Sequence, residues 1–148
     1  MTAVSIAESF VYLKRLAVVG VSRHQKFGNV IFKELSAKGY DVVPVNPKME
    51  SFEGAICYPS LDSITEPVEG VVVVVGKEKV LDVLKDAVKA NVRYVWVQQG
   101  AGSDETKNYC NQNGLHAVFG QCILMYAKPV GGIHAVHRFV WRMLGLTT

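Results

Sequence analysis

The sequence predicts an α/β domain built on a doubly wound parallel sheet, and three observations carry that expectation. Short apolar runs alternate with stretches of helical period, and no internal repeat or low-complexity linker interrupts them. Residues 71–75 are five consecutive valines, too β-branched for a comfortable helix and apolar on both faces, as in a strand buried on both sides. Glycine or asparagine closes several of the helical stretches before the next apolar run begins. Repetition of strand and helix at this spacing gives a Rossmann-like sheet of about five parallel strands with helices on both faces, followed by a C-terminal helix.

Taken in order, residues 5–13 can form a short opening helix, and residues 16–19 read as a buried strand ending at Gly20. Phe27, Val30, Ile31 and Leu35 recur at helical spacing until Gly39. Residues 42–45 make the second strand, in which Pro44 cannot donate to a ladder and so belongs at a bulge or an edge. Residues 46–60 look like a loop with at most a short edge strand near Ile56 and Cys57. After the valine strand, Val80, Leu81, Leu84 and Val88 mark a helix ending near Asn91, and residues 94–97 form the fourth strand. Ser103 caps the next helix, with Asp104 and Glu105 suited to its N-terminal dipole, and Gly114 closes it. Residues 115–119 give the fifth strand, and a last helix spans about residues 133–144. The expected organisation is one domain over residues 1–127 and a basic amphipathic helix within residues 128–148, packed on the domain or on a partner.

Composition excludes several classes. With 148 residues, 49% apolar and 20% charged, the chain can bury a core without disulfides or a structural metal. The apolar runs fall far short of the ~20 residues of a membrane span. The N-terminus lacks a basic start followed by a long apolar stretch, so a cytoplasmic location is expected. Three separated cysteines, Cys57, Cys110 and Cys122, with no CxxC, argue against a disulfide framework or a zinc knuckle, and reduced thiols are expected. The net charge is +3, but it is uneven: after Glu105 come four bases, Lys107, Lys128, Arg138 and Arg142, and no acid. A body this neutral is no nucleic-acid binder by bulk electrostatics.

Open α/β sheets bind ligands beyond the carboxyl ends of their strands. The first strand leads into Gly20, Val21, Ser22, Arg23, His24, Gln25, Lys26, Phe27 and Gly28, a strand-to-helix loop able to offer free N–H groups to an anion. This is not a GxGxxG motif, because Ser stands at position 22. The second strand ends in Asn46, Pro47 and Lys48, where an NAD domain usually places an acid for the ribose hydroxyls. Beyond the third strand come Gly76, Lys77, Glu78 and Lys79, beyond the fourth Gln98 and Gln99, and beyond the fifth Gly120, Gln121 and Cys122. These loops hold five Lys or Arg against one carboxylate, Glu78, and suit a highly phosphorylated nucleotide.

The runs Val18-Val19-Gly20-Val21-Ser22, Lys38-Gly39-Tyr40-Asp41-Val42-Val43-Pro44-Val45-Asn46-Pro47, Cys57-Tyr58-Pro59-Ser60-Leu61 and Val97-Gln98-Gln99-Gly100 resemble the small CoA-binding proteins of bacteria and archaea. That family is itself related to the nucleotide-binding domain of the succinyl-CoA synthetase alpha subunit. The resemblance covers about residues 10–125. It implies coenzyme A, or an acyl-CoA, as ligand. By position, Gly20, Val21, Ser22, Arg23, His24, Gln25 and Lys26 would wrap the diphosphate. Asn46, Pro47 and Lys48 would lie by the ribose and its 3′-phosphate, while Val74, Val75, Gly76 and Lys77 would flank the adenosine. Val97, Gln98 and Gln99 would face the pantetheine. The synthetase carries its phosphorylated histidine in a second domain that finds no match here, so ligation by this chain alone is not expected.

Other readings of the same residues stand beside this one. Cys122 lies where a pantetheine thiol could form a mixed disulfide, or is a plain half-buried thiol. His134 and His137 share a helix face but lack further metal ligands. The tail helix can cover the domain, pack across a homodimer or dock into a protein partner, with contact to an anionic membrane surface the least favoured reading. Tyr94 and Trp96 read as core. No Ser/His/Asp or Cys/His arrangement with recognisable spacing appears, so a non-catalytic binding module is expected. The alternatives are an NAD(P)-binding oxidoreductase-like protein and an interaction protein acting through its tail.

Overall fold

The computed structural model describes residues 3–24 and 26–127. The tail helix and both of its histidines lie outside the described residues, as does Gln25.

Five parallel strands form the main sheet: β1 (Arg15–Val19), β2 (Asp41–Val45), β5 (Gly70–Val73), β6 (Tyr94–Gln98) and β7 (His116–Gln121), in the order β2-β1-β5-β6-β7. Between β2 and β5 lies a small antiparallel hairpin, β3 (Ser51–Phe52) and β4 (Ala55–Ile56). Among the described residues there are four α-helices: α1 (Ala3–Phe10), α2 (Phe27–Ala37), α3 (Lys77–Lys89) and α4 (Asp104–Gln112). The chain runs outward from β1 to β2, returns to the other side of β1 for β5, and continues outward, so the strand order reverses between β1 and β5.

Alternation along the strands divides the core into two layers. Leu16, Val18, Val72, Trp96 and Val118 face the layer covered by α1 and α2, with Phe10, Ile31 and Leu35 packed among them. Ala17, Val71, Val73, Val95 and Val97 face the opposite layer, where Val80, Leu84 and Ala87 of α3 and Cys110 of α4 close the core. Each central strand is therefore apolar at consecutive positions, as the valine run requires. A side chain at Gly70 would meet Phe10 and Leu13 within 3.0 Å, so the absence of one lets α1 and the turn after it lie against β5.

Element boundaries differ from the sequence expectation in instructive places. The opening helix ends at Phe10 and continues as tight turns, with Leu13 N–H donating to the Phe10 carbonyl at 3.0 Å. The valine strand ends at Val73, although Val74 still donates to the Val19 carbonyl at 2.8 Å. Residues 46–60 hold a hairpin rather than one edge strand. Its turn places Glu53 at φ 51° and Gly54 at φ 80°, the conformation that matches the twist of paired strands. Pro44 does lie on an edge strand, and its carbonyl points outward to accept the Tyr58 N–H at 3.1 Å. Strand β7 runs two residues past Phe119, so Gly120 and Gln121 belong to the strand rather than to a loop. The pairing shifts register opposite Trp96 and Gln98, and Gly120 takes φ 74° there. Ser103 caps α4 as expected, its hydroxyl accepting the Thr106 N–H at 3.2 Å.

Candidate functional site

The loops beyond β1, β2 and β5 meet at the reversal of strand order. Two glycines make that meeting close. Gly20 has φ 138°, and a Cβ there would stand 2.2 Å from the Val74 carbonyl oxygen. A Cβ at Gly28, in the first turn of α2, would stand 2.3 Å from the Gly20 carbonyl oxygen. These are the jobs that the outer glycines of a dinucleotide-binding turn perform, the tight turn and the close helix-to-strand approach. Here they are spread over a longer loop, which is why no GxGxxG spacing appears.

Polar side chains then tie the loops together. Asn46 Nδ2 donates to the Val21 carbonyl at 2.8 Å, and its Oδ1 accepts the Lys48 N–H at 2.8 Å. The Arg23 guanidinium donates to the Lys48 carbonyl at 3.0 Å. Ser22 and His24 are held by Asn29 of α2, whose Oδ1 accepts the Ser22 N–H and whose Nδ2 donates to both carbonyls. Beneath Asn46, the Cys57 thiol points at the Asn46 carbonyl at 3.8 Å, and burial pushes its pKa up.

Charge at this end is one-sided. Arg23, Lys26, Lys48, Lys77 and Lys79 are all exposed, and among the described residues none of them is in an ion pair. Lys26 holds the N-cap position of α2 and Lys77 opens α3, where the helix dipole disfavours cations by about 0.3–1 kcal/mol each. Neither helix has a side-chain cap. These loops hold two carboxylates: Glu50 stands at the far end of the loop after β2, and Glu78 folds back over Gly76, where a Cβ would come within 2.6 Å of it. The arrangement can accept an anion with several negative groups spread across two helix starts and the end of β2.

Not every residue singled out from the sequence comes to this crevice. Val21 is buried under Asn46, and Val97 faces the core on the α3 side. Gln98 is 5% exposed, and its amide is taken: Nε2 donates to Cys122 Sγ at 2.8 Å, and Oε1 accepts the Ile123 N–H at 3.1 Å. Pro47, Gly76 and Gln99 are exposed at the strand ends, while Ser22, Val74 and Val75 are half-buried there. All three cysteines are free; burial pushes Cys110 up to about 11. Asn29 was not among the residues expected at the site. Its one sequence signal is an asparagine in the first turn of a helix, a position from which such side chains bond the preceding loop. A separate open groove of about 490 Å³ lies beside the start of β2, lined by Phe32, Ser36, Tyr40 and Gly54 among others, away from the strand ends.

Fold and loops together define a doubly wound α/β domain with a cationic crevice at the reversal point of its sheet. The chain belongs to the CoA binding domain family, whose profile matches residues 14–128. It is 29% identical over 111 residues to an uncharacterized protein, YneT, of Bacillus subtilis (strain 168), covering 74% of this chain and 82% of that one. It is also 30% identical over 108 residues to an ADP-forming acetate–CoA ligase of Methanocaldococcus jannaschii. That match covers 72% of this chain but spans only 15% of the ligase. Among solved structures, a hypothetical protein from Pyrococcus horikoshii OT3 superposes with a TM-score of 0.77 at 31% identity, covering 85% of this chain and 89% of that one. Among the described residues no helix is long and apolar enough to cross a membrane.

Proposed function

We propose that this protein binds coenzyme A or an acyl-CoA across the crevice, as a non-catalytic module serving as carrier, sensor or subunit. The observation that carries the reading is the set of five exposed cations without ion-pair partners among the described residues. Two of them stand at helix starts without a side-chain cap, where an arriving anion would offset the dipole, a task that Glu78 shares at α3. Membership of the CoA binding domain family supports the same ligand. In this reading the loop of residues 20–26 and the first turn of α2 hold the diphosphate. Asn46, Pro47 and Lys48 lie by the ribose and its 3′-phosphate. Asn46 braces the loop there, since its amide already bonds Val21 and Lys48, and the 3′-phosphate falls to Lys48. Val74, Val75, Gly76 and Lys77 flank the adenosine, and Gln99 stands nearer the pantetheine than the occupied Gln98.

Calorimetric titration of ligand-stripped protein with CoA, NAD and NADP tests this directly. Selective binding of CoA is expected; binding of only NAD or NADP, or of none of the three, overturns it. Charge reading is tested at Lys48. Lys48→Ala is expected to weaken CoA more than dephospho-CoA by about 1–2 kcal/mol, the range for hydrogen bonds to charged groups. Equal losses for the two ligands would assign the 3′-phosphate to other groups.

A further inference from the structure

Asn29 makes three hydrogen bonds with its side chain, and all of them run back into the loop after β1. Its Oδ1 accepts the Ser22 N–H at 2.8 Å, while Nδ2 donates to the Ser22 carbonyl at 2.9 Å and the His24 carbonyl at 3.2 Å. The Ser22 hydroxyl accepts the His24 N–H at 3.1 Å. Two amide hydrogens of the loop are thus already donated, that of Ser22 to Asn29 and that of His24 within the loop, and two of its carbonyl oxygens accept from Asn29. At the start of α2, by contrast, helix geometry leaves the Phe27 and Gly28 N–H groups without an intrahelical partner, while the Asn29 N–H donates to the Lys26 carbonyl at 3.0 Å.

We propose that Asn29 is the positioning residue of the anion loop: it folds residues 22–24 so that an arriving diphosphate meets the first turn of α2 with Arg23 and Lys26, not the Ser22 and His24 amides. The proposal rests on the reading that this loop holds the diphosphate of coenzyme A. Its physical basis is twofold. Ordering a loop costs conformational entropy, and the Asn29 bonds meet that cost before the ligand arrives. The two Nδ2 bonds also hold carbonyl oxygens that would otherwise be free to turn toward the anion and repel it.

The test uses the full chain with Asn29→Ala and Asn29→Asp. The ligands are CoA, inorganic pyrophosphate and adenosine 3′-monophosphate, which lacks the diphosphate. Amide hydrogen exchange at Ser22 is followed by NMR without ligand. In Asn29→Ala, Ser22 exchange is expected to accelerate by roughly tenfold or more, and affinity for CoA and pyrophosphate to fall about as much. Adenosine 3′-monophosphate should be held to within about twofold, since its contacts lie elsewhere. Asn29→Asp keeps the acceptor for Ser22 but sets a carboxylate against two carbonyls. Its affinity relative to the unaltered protein should recover as pH falls from about 6 toward about 4, the ordinary aspartate range, where the carboxyl regains a donor. Arg23, His24 and Lys26 on the loop and Lys48 across from it are common to both proteins, so that ratio reads the new carboxyl together with its coupling to them. Unchanged Ser22 exchange, or equal losses for all three ligands, overturns the assignment. If the unaltered protein binds pyrophosphate but not CoA, the functional reading fails and Asn29 is judged on pyrophosphate alone; binding of neither sinks both.

Discussion

Gly20→Ala is expected to cost roughly 3 kcal/mol or more of folding stability, combining left-handed backbone strain with an overpacked contact. The reason lies in two independent demands at one residue. At φ 138° the backbone is in a region that side chains rarely adopt, and the added Cβ would lie 2.2 Å from the Val74 carbonyl oxygen. That oxygen belongs to backbone tied by the Val74 N–H to Val19, so it cannot swing aside like the end of a side chain. Relief requires β1 and β5 to part at the crevice, and CoA binding should fall with stability. Gly28→Ala separates the two demands. Its backbone is ordinary helix, where alanine gains about 1 kcal/mol in propensity. Yet its Cβ would stand 2.3 Å from the Gly20 carbonyl, and overpacking of that kind costs about 1–3 kcal/mol. Packing should win, giving a net loss near 1 kcal/mol. Chemical denaturation measures both variants. A Gly20→Ala protein within about 1 kcal/mol of the original would show that the loops are not in the contact described here.

What the sequence made legible follows from how strongly each feature is written into local pattern. The five main strands are written in apolar runs, and buried strands leave that mark whatever their neighbours. The hairpin of β3 and β4 is not, because each strand has two residues, too short for any period, and Phe52 is its single buried side chain. The turn itself uses Glu53 and Gly54 instead of an asparagine–glycine pair. The extension of β7 depends on a register shift set by β6, which no local pattern reports. At the site, residue type and charge were legible: Arg23, Asn46 and Lys48 do come together. What side chains were already occupied was not. Asn46 and Gln98 read as ligand-facing amides, and both are taken up by backbone groups and a thiol. For Gln98 a signal was present. Residues two apart on a strand share a face, so Gln98 lies on the side of Trp96, against the core layer that also contains Ile123.

That side of β6 also predicts where the largest core effect falls. Trp96→Ala is expected to destabilise the fold by about 3–5 kcal/mol, the range for removing a fully buried aromatic. The indole is fully buried, meets Phe10 edge-on at 5.4 Å and Tyr126 at the same distance, and donates from Nε1 to the Gln121 carbonyl at 2.9 Å. It therefore joins α1, the end of β7 and the turn at Tyr126 that follows it. Trp96→Phe resolves these contributions. The smaller ring keeps most of the apolar contact but leaves the Gln121 carbonyl without its donor, at a cost of about 1–2 kcal/mol in bond and lost volume. Because Gln121 is exposed, water can take that carbonyl, which keeps the figure at the lower end. Urea denaturation of the two variants reads the difference. Similar losses for alanine and phenylalanine would place the energy in the hydrogen bond. A loss below about 1 kcal/mol for alanine would mean that β6 is not packed under α1. Since Gln98 continues the same face and holds the Cys122 and Ile123 exit, the phenylalanine variant should leave CoA affinity nearly unchanged. The crevice is built from β1, β2 and β5, on strands that Trp96 supports but whose loops it does not touch.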